Sequence, residues 1–138
     1  MPVDVRYERD GALVRIVGRG VITDEEFIRV HTGLFESEEH ARHYRAAISD
    51  WTLADAQDLP LTHKAIQGVA RIIHDRRSVL RPDLALAIVT VAPVQFGQAR
   101  QFAAYVDESG LNIRLFADLG EAERWVADHL ALPDANGT

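Results

Sequence analysis

Cysteine is absent from this 138-residue chain. Disulfide bonds, thiolate nucleophiles and thiolate metal ligands go with it. Lysine is almost absent: Lys64 is the only one among fifteen basic residues, and the rest are arginine. Arginine suits bidentate contacts to anions, but here it runs along the whole chain, which reads as compositional habit and not as a recognition surface. Positive charge is in deficit overall. Twenty-one acids give a formal charge of −6, which repels a phosphate backbone, so no nucleic acid partner is expected. No apolar run is long enough to cross a bilayer, and the opening Met-Pro-Val-Asp-Val-Arg has no signal-peptide core. The expectation is a cytoplasmic protein without a membrane span. Three nucleotide or nucleophile signatures are also missing: Gly-x-Ser-x-Gly, Gly-x-x-x-x-Gly-Lys, and Gly-x-Gly-x-x-Gly after a strand. Ser37, Ser49, Ser78 and Ser109 therefore have no nucleophile elbow to sit in.

What is present is ordinary globular material, 47% hydrophobic and 26% charged. The length suits one domain, expected over residues 1–132, with a polar tail at 133–138 expected to fray. Val3, Val5 and Tyr7 alternate with polar residues, as do Val14 and Ile16. Asp10-Gly11 between them predicts a β-hairpin with a primed turn. Thr23-Asp24-Glu25-Glu26 has capping-box spacing. Phe27, Ile28, His31, Leu34 and Phe35 follow at helical spacing, and that helix is expected to run out near Glu38. Residues 44–50 predict a short buried strand, 51–61 a loop, and Ile66, Val69, Ala70 and Ile73 a second helix. Residues 84–91 form an unbroken apolar run, which predicts an inner parallel strand covered on both faces. Pro93 predicts the first turn of a third helix with Ala99, Phe102, Ala103 and Val106 inward. Leu111, Ile113 and Leu115 predict the last strand. Asp118 and Glu121 open a last helix carrying Ala122, Trp125, Val126 and His129. The fold class is thus α/β. It has a small mixed, mostly parallel sheet of about five strands in the order β-β-α-β-α-β-α-β-α, with helices packed on it.

Three stretches carry a family likeness. They are Gly20-Val21-Ile22-Thr23-Asp24-Glu25-Glu26-Phe27, then Ile48-Ser49-Asp50-Trp51, and last Phe116-Ala117-Asp118-Leu119-Gly120-Glu121-Ala122-Glu123-Arg124-Trp125-Val126. Across nearly the whole chain this resembles the anti-sigma factor antagonist fold, in the STAS/SEC14-like (SpoIIAA-like) branch. The resemblance implies a regulatory module with a phosphorylatable Ser or Thr after the central strand. The compact Asp-Ser-Ser-Gly-like signature is absent, and the nearest positional match is Thr62, then Thr52.

Ligands of open parallel sheets gather at the carboxyl ends of the strands. That rule marks Asp50, Trp51, Thr52, Gln95 and Phe96 as candidate ligand-binding residues around an apolar cleft. Set against this is a structural role for them in capping a loop and covering the core edge. Asp50 and His63 form the alternative, an acid/base pair of a small hydrolase or isomerase. Thr62, at a helix start, is the candidate phosphorylation site, because the helix dipole favours negative charge there. His40 and His43 near Glu36 and Glu39 suggest a metal turn, but an exposed helix end accounts for them better. His31 reads as a satisfied, partly buried histidine, and His74 and His129 as flanks of helices. No metal and no cofactor is expected. The leading expectation is a non-enzymatic binding or regulatory module with a protein partner or a small apolar ligand. A homodimer is a further expectation, since a short sheet leaves edges to cover.

Overall fold

The computed structural model describes residues 2–55 and 61–133. The tail at 134–138 and part of the loop at 56–60 lie outside the described residues. Strand β1 (Val3–Glu8) pairs antiparallel with β2 (Leu13–Gly20), placing Val5 opposite Ile16 and Tyr7 opposite Val14. Their connection is not the expected two-residue Asp-Gly turn. Arg9, Asp10, Gly11 and Ala12 all lie between the paired Glu8 and Leu13, and positive φ begins at Arg9 (52°) and continues through Asp10 (56°) and Gly11 (89°). The glycine is therefore the last of three left-handed residues, where it carries the most positive φ of the three.

Helix α1 (Asp24–Gly33) follows, capped as expected by Thr23, whose hydroxyl accepts from the Glu26 backbone N–H at 3.2 Å. The reciprocal half of the capping box is missing, because the Glu26 carboxylate accepts from Arg29 at 2.6 and 3.1 Å. A short helix α2 (Glu38–His43) comes next, capped by Ser37. It was not foreseen, and it carries both His40 and His43. Strand β3 (Ala46–Ala54) is longer than expected and takes Trp51 and Thr52 out of the predicted loop. Helix α3 (His63–Asp75), strand β4 (Ala85–Val89), helix α4 (Pro93–Val106), strand β5 (Asn112–Phe116) and helix α5 (Leu119–Ala131) complete the chain near their expected places.

The sheet order is β1-β2-β3-β4-β5, parallel from β2 onward. When strands lie in chain order, crossovers of one hand put their helices on one face. The packing agrees. One core cluster joins Phe27 and Val30 of α1, Ile66 and Val69 of α3, and Phe102 and Val106 of α4 to Ile16, Leu86 and Ile88 of the sheet. A second joins Ala122 and Val126 of α5 to Ala46, Ile48, Ala87 and Val89 on the opposite face. Both faces of β4 are thus covered, as its apolar run predicts, and all five of its residues are buried. Each fully buried Val or Ile of these clusters contributes roughly 1.5–3 kcal/mol of hydrophobic burial. No described helix is long and apolar enough to cross a membrane.

Candidate functional site: a cavity between the sheet and three helices

Successive side chains of a strand point to opposite faces. In β3 this sends Ser49 and Trp51 toward α1, α3 and α4, and Ile48 and Asp50 toward α5. In β4, Ile88 and the following Thr90 share the face of Ser49. Above them, near the carboxyl ends of β3 and β4, the three helices leave a cavity of about 550 Å³, counted with its open mouth. Phe27, His31, Phe102 and Gln95 line it from the helical side. A second cavity of about 600 Å³ continues toward Tyr44, Leu80 and Leu111. His31, Ser49 and Phe102 border both, so these three side chains stand at their junction.

Local sequence builds one wall. Pairing of β2 with β3 shifts register between Val17 and Arg19, where β3 carries an extra residue. The Trp51 indole lies there, directly on Gly18. A Cβ at Gly18 would stand 2.4 Å from Trp51 Cε3, so only glycine leaves room for the ring. Trp51 meets Phe27 with ring centroids 5.7 Å apart, and Phe27 meets His31 at 4.7 Å. The result is an aromatic row along α1 and the end of β3.

Gln95 closes the carboxyl end. Its carbonyl accepts from the backbone N–H groups of Val91 (3.0 Å) and Ala92 (3.3 Å), and its amide donates to the carbonyls of Trp51 (3.0 Å) and Ala54 (3.4 Å). One buried side chain thereby ties β3 to the β4–α4 connection. Its hydrogen bonds are spent on backbone, so it borders the cavity as a clamp.

His31 differs. It is 6% exposed, and its Nδ1 donates to the Phe27 carbonyl at 2.8 Å. A carbonyl only accepts, so the proton belongs on Nδ1 and Nε2 keeps a lone pair. Among the described residues nothing donates to that lone pair. Burial lowers the imidazole pKa below its ordinary 6.5, with the Phe27 carbonyl opposing, which favours the neutral ring. Ser49 (6% exposed) and Thr90 (4%) also border the first cavity, and their hydroxyls make no hydrogen bond among the described residues. The expected satisfied, partly buried His31 is therefore fully buried and satisfied at one nitrogen only.

The other expected site residues are scattered. Trp51 and Gln95 line the cavity, whereas Asp50, Thr52 and Phe96 do not. Asp50 is buried on the α5 face, and its Oδ1 accepts from the Thr52 N–H (2.9 Å) and hydroxyl (2.7 Å). Phe96 is 46% exposed, with the Arg100 guanidinium 5.9 Å from its ring centroid. His63 is exposed at the start of α3, on the other side of the sheet from Asp50, and its Nε2 pairs with the Tyr105 hydroxyl at 2.6 Å. The two halves of the acid/base pair are thus not brought together.

Thr62 caps α3 by accepting from the Ala65 N–H (3.2 Å), while its own N–H and hydroxyl donate to Asp24 at 2.9 and 2.8 Å. The hydroxyls of both threonines considered for phosphorylation therefore donate to a carboxylate. A phosphoryl group on either would meet that carboxylate as a like charge. His40 and His43 are exposed on α2, and no cluster of three or more His, Asp or Glu side chains fit to hold a metal forms among the described residues. Ser49, His31 and Thr90 are what the sequence reading passed over as site residues. Their signal was faint: Ser49 sits inside a buried strand, His31 on an apolar helix face, and Thr90 near the end of an apolar run.

No family model matches the sequence, and neither a curated protein nor a solved structure shows significant similarity to the chain.

Proposed function

We propose that the chain is a non-enzymatic binding module of the STAS/SEC14-like kind, which takes one small apolar molecule between its sheet and its helical layer. The observation that carries this reading is the cavity: apolar, walled by Trp51 and Phe27, and placed by the carboxyl ends of two parallel strands. Its neighbourhood favours binding over turnover, because Asp50 and His63 lie on opposite sides of the sheet with other partners.

Trp51 supplies the test. The other tryptophan, Trp125, packs on Phe116 on the α5 face, with ring centroids 5.6 Å apart. A Trp125→Phe protein therefore emits from the cavity wall alone. Titration with bromobenzene should quench that emission to a plateau and raise the melting temperature, as binding to the folded state must. Quenching that rises without saturating, as for free tryptophan, with no change in melting temperature, would rule the reading out.

A further inference from the structure

We infer that the junction of the two cavities recognises the hydroxyl of a single-ring phenol, held between His31 Nε2 and the Ser49 hydroxyl. This rests on the binding reading above and gives it a ligand class.

Chemistry at the junction selects the head group. His31 offers a bare lone pair, because its proton is committed to the Phe27 carbonyl. Ser49 offers a hydroxyl that can donate or accept. Both side chains are more than nine-tenths buried, both border both cavities, and neither of these polar atoms has a partner among the described residues. A phenol hydroxyl fits the pair, donating to Nε2 and accepting from Ser49. A hydrocarbon would displace water from both atoms and leave them unpaired, which is costly. A carboxylate or an ammonium would be buried without a counter-charge from the described residues, among which no Arg, Lys, Asp or Glu lines either cavity. Gln95 cannot serve instead, and Gln98 borders only the first cavity and not the junction. The Gln95 amide is spent on the backbone of β3 and the β4–α4 connection, and the Gln98 amide donates to the Leu61 carbonyl at 3.2 Å.

The walls select the body. Each cavity has room for a ring. Trp51 and Phe27 present tilted aromatic rings, whose faces and edges favour another aromatic ring.

Fluorine NMR titration with fluorobenzene and 4-fluorophenol separates head from body. Wild-type protein should bind the phenol at least as tightly as fluorobenzene, although the phenol is better hydrated. In His31→Leu the phenol should weaken by about tenfold while fluorobenzene stays within about twofold. His31→Gln, which returns an acceptor, should recover part of the loss. Circular dichroism checks that each variant is folded. If His31→Leu does not fold, Ser49→Ala carries the test, and its phenol affinity should fall severalfold with fluorobenzene unchanged. Binding of fluorobenzene with an unchanged phenol-to-fluorobenzene ratio in the variants overturns this inference and leaves the binding reading standing. Binding of neither probe by wild-type protein overturns both.

Discussion

Beneath α1, α3 and α4 the sheet presents Ile16, Ser49, Ile88 and Thr90, and beneath α5 it presents Ala46, Ile48, Ala87 and Val89. The alanine pair lets a single helix settle close, and Ala122 on α5 answers it with another small, fully buried residue. The other face is roofed by three helices from three separate crossovers. Large side chains such as Phe27 and Phe102 hold that roof off the strands, and cavities remain beneath it. The unpartnered polar atoms of His31, Ser49 and Thr90 lie on that same roomy face. Tight packing and a candidate site are thus divided between the two sides of one sheet.

The strongest way to break this contrast is to enlarge an alanine on each side. Ala46→Leu, under α5, should cost about 2–3 kcal/mol, because a filled interior has nowhere to put three more carbons. Ala99→Leu, which borders the cavity, should cost less than about 1 kcal/mol or stabilise. Urea denaturation of both variants decides it, and equal losses would mean that the two faces are equally full.

A smaller effect tests the aromatic wall. Gly18→Ala forces the Trp51 ring to move and should cost about 1–2 kcal/mol. The same change in a Trp51→Leu background should cost clearly less, since the two residues touch. Additive losses in the four-protein cycle would detach Gly18 from Trp51.

The smallest effect is a slope. His31 has a folded pKa below its ordinary 6.5. As pH falls through that value the unfolded chain takes up a proton that the folded state resists, so stability tied to His31 is present above about 6.5 and drains away toward the lower folded pKa. Stability measured from pH 7 to pH 5 should therefore decline more steeply in wild-type protein than in His31→Leu. Parallel curves would show that His31 is protonated as easily in the fold as outside it.

Much of this architecture could be read from residue order. The apolar run at 84–91 announced a strand covered on both sides, and Pro93, Thr23 and Asp118 marked helix starts where helices begin. Helix α2 was invisible because Ala41 is its only buried residue, and one buried residue makes no period. The end of β3 was misplaced because Trp51 and Thr52 sit where an extra residue interrupts the pairing with β2, which blurs the strand's outline. That error set Asp50, at the end of the expected strand, beside Trp51 as joint walls of one cleft, when as consecutive strand residues they face opposite ways. The cavity could not be read at all. It depends on how far three helices stand from the sheet, and Phe27, Ser49 and Phe102 come from separate stretches of chain.

Strand order that follows chain order has a consequence for synthesis. From β2 onward, each strand pairs on arrival with the one made just before it, so the sheet can grow from one margin to the other as the polypeptide emerges. The stripe of Ala46, Ile48, Ala87 and Val89 stays bare throughout that growth. Its cover, Leu119–Ala131, comes after every strand, so a nascent or clipped chain lacking that helix would show a sticky flank to whatever quality-control machinery it meets.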